Sequence, residues 1–339
     1  MDTNGLYKKY PINRQLTLEE CENQLKPKIR TGVEPYYFWS AIRCNSTFLE
    51  LSDKFYSGKG FVTLVMLICV PLSLALLILM YVGVFTDFFP HRDEKTVGLY
   101  LFGAFAVLLA ASLFGFCIWG LRKESFSYTH YTIRFNRKTK MVHVFRQDGT
   151  VLTGPWNLLF FTICPSSIFV GIRFWDLRAH VLSLQGLIVK ETFALPRCVP
   201  DVEQKQQKAL WEYIRRYMED QDGVRATIAR TPMYLPIATQ RESWLFGLRR
   251  FLVEVGGGLF LLRWALLPLA LAISLGRWFA MRTSRVPVWP KEIEDACQIE
   301  PNDPYERDER NNPDDLWAVM KRMDWDGEER PAESQKPSV

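Results

Sequence analysis

The sequence predicts an α+β membrane protein: a two-helix transmembrane hairpin, an antiparallel β-meander closed by an amphipathic helix, and a third apolar helical segment. Three observations carry this. Two long runs, Gly60–Thr86 and Thr96–Leu121, hold no Asp, Glu, Lys or Arg. Alternating apolar and polar residues begin near Tyr128. After Pro200 the apolar residues recur at helical spacing instead. Apolar residues spaced by two make one wet and one dry sheet face, and spacing of three and four makes a helical stripe.

The segment 1–59 is polar and too rich in charge to be a cleaved signal, so Gly60 begins an uncleaved anchor. Thr17-Leu18-Glu19-Glu20 forms a capping-box pattern that predicts a short helix before Cys21–Leu25. Tyr36-Tyr37-Phe38-Trp39 serves either as an interfacial belt or as packing on the soluble domain. Asn45-Ser46-Thr47 matches a glycosylation sequon, which a cytoplasmic position makes irrelevant.

The hairpin spans 60–121. A bilayer core of roughly 30 Å takes about 20 apolar residues at 1.5 Å rise, and both runs exceed that length. Arg43, Lys54 and Lys59 precede the first run. Arg122, Lys123, Arg134, Arg137, Lys138 and Lys140 follow the second, and Asp87–Lys95 between them carries only Arg92 and Lys95. The positive-inside bias therefore places both ends in the cytoplasm of a multi-pass inner-membrane protein. Gly103, Ala106, Ala110, Ala111 and Gly115 permit close helix approach, either within the hairpin or in a homo-oligomer.

Residues 128–220 read as the β-rich domain. Tyr131–Phe135 and Met141–Phe145 flank a polar turn, and Asp148-Gly149 supplies the positive φ of a second. Further strands are expected at Trp156–Ile163, Ile168–Trp175, His180–Leu184 and Leu187–Phe193. Asp201 is a candidate cap for the helix that follows, with Val202, Ala209, Leu210, Tyr213, Ile214, Tyr217 and Met218 on its stripe. A meander closed by one helix resembles pleckstrin-homology-like domains in element order.

The segment 241–285 contains the apolar stretch Val255–Gly276, interrupted by Arg263, Gly256-Gly257-Gly258 and Pro268, with arginines on both flanks. A re-entrant or interfacial helix keeps both flanks inside and is preferred to a third span. The acidic tail, 300–339, is expected to be largely disordered, except for an island in which Leu316, Trp317, Met320 and Met323 form a partner-docking helix or fold back on their own domain.

The chemistry-bearing patterns are negative. The chain has no phosphate loop, nucleophile elbow or dinucleotide fingerprint, so neither an enzyme nor a cofactor is expected. Seven scattered cysteines without a CxxC pair suit a reducing compartment, and four histidines without HxxxH spacing predict no metal site. Asp176 and His180, near Arg173 and Arg178, read as solvated charges in a strand connection. No basic surface interleaved with aromatics points to nucleic acid. The cluster Arg134, Arg137, Lys138 and Lys140 either contacts anionic lipid or simply satisfies the topology bias.

Asn45–Asp53, Ile133–Lys138 with Met141-Val142-His143, Asp148-Gly149 and Trp156, and Met233-Tyr234-Leu235-Pro236 together resemble a family of proteobacterial inner-membrane proteins of unknown function. Its members are often encoded near type VI secretion genes. The resemblance implies a membrane immunity protein that binds a cognate secreted toxin. The rival expectations are an adaptor for effector loading and a lipid-binding regulator.

Overall fold

The computed structural model describes residues 5–322 apart from 7, 85–95, 170–171, 184–185, 187, 200–203 and 257–264. The chain divides into two units. One comprises Met1–Ser57, His130–Gln240 and Val286–Val339, the other Gly58–Thr129 and Arg241–Arg285.

The first unit is built on two antiparallel five-stranded sheets. One is a meander of β3 (Ala41–Cys44), β4 (Phe48–Leu51), β5 (Ile133–Asn136), β6 (Met141–Phe145) and β7 (Val151–Pro155). The other has β8 (Leu159–Phe169), β9 (Ile172–Leu182) and β10 (Ile188–Val199) at its centre. Its edges are the short strands β1 (Arg14–Gln15) and β2 (Gln24–Leu25), which flank α1 (Leu18–Glu22). The four expected segments after Trp156 are thus three long strands. A turn sought between Trp175 and His180 does not exist, because β9 runs straight through Asp176 and Arg178 with both paired to β8.

Helix α4 (Lys205–Glu219) covers the apolar sheet faces. Its stripe is as expected: Ala209, Leu210, Tyr213, Ile214, Tyr217 and Met218 are all buried, and Trp211 joins them. Trp211 stacks on Trp156 at 5.4 Å and lies 4.7 Å from the Phe161 ring, while Trp156 meets Phe135 edge-on. One aromatic cluster thereby ties both sheets to the helix, each ring contributing roughly 1.5–3 kcal/mol by burial. Residues 1–59 are not a separate polar segment, since they supply four of the ten strands. Tyr37, Phe38 and Trp39 are buried, and Tyr37 faces Tyr213 at 6.1 Å, so the aromatic run packs within this unit.

The acidic tail also departs from expectation. Residues 300–322 follow a defined path on the first unit, held by backbone bonds that its charges leave free to form. Arg307 exchanges both backbone hydrogen bonds with Cys44 at 2.8 and 2.9 Å. Asp303 accepts from the Ser46 amide and hydroxyl at 2.7 and 2.8 Å. Residues 323–339 lie outside the described ones.

In the second unit, α2 (Phe61–Val82) and α3 (Thr96–Glu124) pack together, and both are long and apolar enough to cross a membrane. Gly103, Ala110, Cys117 and Glu124, seven residues apart, are buried on one side of α3, with Gly120 buried beside them. That period suits a left-handed helix pair. Of the expected small residues, Gly103 and Ala110 serve this contact, whereas Ala111 and Gly115 are exposed. The ends of the pair are tied: Lys59 Nζ donates to the carbonyls of Glu124 and Tyr128 at 2.8 and 2.7 Å. Leu72, Leu79, Leu101, Phe102 and Leu108 remain exposed, an apolar surface that water disfavours.

The third apolar segment is two helices, α6 (Trp244–Gly256) and α7 (Leu267–Thr283), packed on each other with α7 also against α2. Numbering follows α5 (Gly223–Ala229). Arg241 Nε donates to Ser284 O at 3.2 Å and Trp244 Nε1 to Ser274 Oγ at 3.0 Å, so the chain returns to the end where it entered. Gly257, Gly258 and Arg263 lie outside the described residues, as do Asp87–Lys95, Asp201 and Val202.

Candidate functional site

Of the four cations predicted to face lipid, Arg134 is buried, Arg137 and Lys140 are half-buried and Lys138 is exposed. All four engage partners within the chain, two of them at the end of α4, against which the β5–β6 turn lies. Arg134 is 1 % exposed, bracketed by the Phe48 and Trp289 rings and paired with Glu50 and Glu294. Arg137 donates to the carbonyls of Tyr217, Asp220 and Gln221 at the C-terminus of α4, where a cation complements the helix dipole. Lys140 donates to Met218 O there, and Lys138 pairs with Glu300. The expected docking island is α9 (Leu316–Arg322), following α8 (Lys291–Ala296). Met320 is fully buried and Leu316 and Trp317 half-buried, which is the fold-back alternative; Met323 is outside the described residues.

A cleft of about 300 Å³ opens beside the end of β3. Arg43 and Asn45 line one side, and the charged turn Glu306–Arg310 the other. The turn is internally neutralised: Arg310 pairs with Glu306 at 3.0 Å and Asp308 at 2.7 Å. Burial raises the Asp308 carboxyl, but hydrogen bonds from Arg310 outweigh it and hold the group below its usual range. Asn45 Oδ1 accepts from the Thr47 and Phe48 amides at 2.8 Å each, shaping the β3–β4 turn. Its Nδ2 and the Arg43 Nε are buried donors with no hydrogen-bond partner among the described residues. Such donors cost about 1–3 kcal/mol each unless an acceptor meets them. The sequon is closed to modification, since Asn45 is 1 % exposed.

A second polar cluster lies on the face of β8 and β9 covered by the N-terminal segment. Asp176 accepts a hydrogen bond from Lys54 Nζ at 2.7 Å and forms an ion pair with Arg178 Nε at 2.7 Å, all three buried. Glu20 closes the capping box with Thr17, takes Arg14 bidentately at 2.5 and 2.7 Å, and lies 3.4 Å from His180 Nε2. Burial raises its carboxyl, yet His180, Arg14 and the Thr17 amide leave it well below the ordinary range. Burial pushes the Cys164 thiol up to about 12. Glu20, Cys164 and His180 offer ligand atoms all within 4.8 Å of one another. Asp176 and His180 are therefore not solvated charges; they are mid-strand and fully buried. Only the capping box hinted at Glu20, and nothing local to the sequence joins it to Cys164.

The chain matches the model of a family of unknown function (DUF6708) over residues 110–301. No curated protein and no solved structure matches it.

Proposed function

The chain belongs to that family, DUF6708, and from this premise we propose that it is a non-catalytic, membrane-anchored binding protein. In its specific form, it is an inner-membrane immunity protein that captures a cognate type VI secretion toxin on its cytoplasmic β domain. The observation carrying the reading is the cleft beside the end of β3, lined by Arg43 and Asn45 and by the charged turn Glu306–Arg310. The apolar hairpin of α2 and α3 supports the anchor. The arrangement of a meander closed by α4, common to pleckstrin-homology-like domains, supports a binding rather than a catalytic role.

Three experiments test it. Deleting the gene sensitises cells to a toxin-bearing sibling, and survival against every such sibling overturns the immunity role. Loss of toxin delivery with resistance retained favours the adaptor reading instead. In pull-downs from detergent-solubilised membranes, Arg43→Ala weakens capture of the neighbouring toxin by about tenfold, the worth of roughly one charged hydrogen bond. A reporter fused after Lys123 is active on the cytoplasmic side only; periplasmic activity rejects the orientation.

A further inference from the structure

We propose that Glu20, Cys164 and His180 form a zinc-binding site that clips α1 onto β8 and β9. The three ligands come from separate parts of the chain and are 5 %, 2 % and 0 % exposed. Tetrahedral zinc, with bonds of about 2.0 Å to N or O and 2.3 Å to S, holds its ligand atoms roughly 3.3–3.5 Å apart. Glu20 Oε1 lies 3.4 Å from His180 Nε2 and 3.9 Å from Cys164 Sγ, and all three ligand atoms fall within 4.8 Å of one another, so closing on an ion takes a side-chain adjustment rather than a backbone rearrangement.

His180 is oriented for this task. Its Nδ1 meets Thr192 Oγ1 at 2.8 Å, the outer hydrogen bond that fixes the tautomer of a ligating imidazole. Its Nε2 is buried without a hydrogen-bond partner, because Glu20 Oε1 stands close but out of alignment. Arg14 grips the Glu20 carboxylate and holds its direction, while leaving Oε1 a second lone pair. Arg14 also competes for that charge, which weakens the site relative to one with three unshared ligands.

Thiolate, imidazole and carboxylate together select zinc over calcium or magnesium, which take oxygen sets. Binding releases the Cys164 thiol proton to solvent and leaves two anionic ligands facing a dication. A water completes the fourth position. The burial of all three ligands bars substrates, so the site is structural: it binds the N-terminal segment to the sheet.

The full-length protein, purified in detergent, is loaded with zinc, desalted and analysed for metal, and a parallel sample is loaded with cobalt(II). The expected result is about one zinc per chain and a thiolate-to-cobalt charge-transfer band. Cys164→Ala and His180→Gln each reduce the zinc content below about a tenth and abolish the band, while Cys198→Ser retains both. Unloaded wild-type protein, or a band that persists in Cys164→Ala, overturns the site and leaves Glu20 and His180 as an ion pair. Should the variants fail to fold, chelator stripping of folded wild-type protein decides. Reversible loss of the band with a lowered melting temperature supports the site, and an unchanged melting curve rejects the clip.

Discussion

Arg277 Nη2 and Glu242 Oε2 lie 2.6 Å apart with their side chains 6 % and 2 % exposed, pinning the end of α7 to the start of α6. A second bond, Arg277 Nε to Glu242 Oε1 at 2.7 Å, makes the pair bidentate, and Arg277 Nη1 also donates to Lys59 O at 3.1 Å. Removing one partner strands a buried charge. Glu242→Ala is therefore expected to cost about 3–5 kcal/mol, whereas Glu242→Met with Arg277→Met costs far less. Unfolding in detergent distinguishes them, and equal losses would contradict the pairing.

Gly60 and Gly276 let α2 and α7 meet. Gly60 sits at φ +102°, and a Cβ there would come within 2.2 Å of the Arg277 backbone. A Cβ on Gly276 would lie 2.5 Å from Gly60 O. Gly276→Ala is expected to destabilise the unit by about 1–3 kcal/mol through overpacking. Gly60→Ala adds left-handed backbone strain and costs more. Alanine at exposed Gly115, which has nothing near it, is the control and leaves melting unchanged.

Arg137 provides a test of the lipid reading. Arg137→Ala is expected to lose about 1.5–3 kcal/mol of stability by uncapping α4. Binding of the protein to anionic against neutral vesicles stays the same, because the guanidinium is occupied by Tyr217, Asp220 and Gln221 carbonyls. A selective loss of anionic-vesicle binding without a change in melting would restore the lipid role.

His143 makes the domain acid-sensitive. Burial, with Arg134 nearby, lowers its imidazole from the ordinary 6.5 to about 4. The folded state thus binds a proton less readily than the unfolded chain, and stability falls as pH drops from about 6.5 to 4. The loss is complete below that window and amounts to roughly 3 kcal/mol. In His143→Gln the slope over that range flattens, with Thr153 Oγ1, 2.9 Å from Nδ1, still able to bond the amide. Glu20, whose carboxyl is held low, loses its stabilising contribution only below about 4.5.

The hairpin and α4 were legible because each rests on local composition: an uncharged run, and a stripe at helical spacing. The β3–β4 pair was not, since Arg43 and Glu50 look like surface residues until their partners, Asp308 for Arg43 and Trp289 and Arg134 for Glu50, arrive from elsewhere in the chain. The same holds for residues 300–312, whose acidic composition signals disorder but whose backbone extends the β3 edge. Charge counted along a sequence cannot distinguish a solvated carboxylate from one engaged by a serine, as with Asp303 and Ser46. The Glu20–Cys164–His180 cluster is the extreme case, with its members linked only by tertiary folding.

β4 and β5 are hydrogen-bonded neighbours, Leu51 opposite Ile133 and Phe48 opposite Asn136, yet residues 52–132 intervene. During synthesis β4 leaves the ribosome long before its companion, so the sheet stays half-built until both apolar helices have been made. Pairing of β4 with β5 is thus a late event in the assembly of the first unit, and shortening 58–129 to a tight turn would let the sheet close earlier.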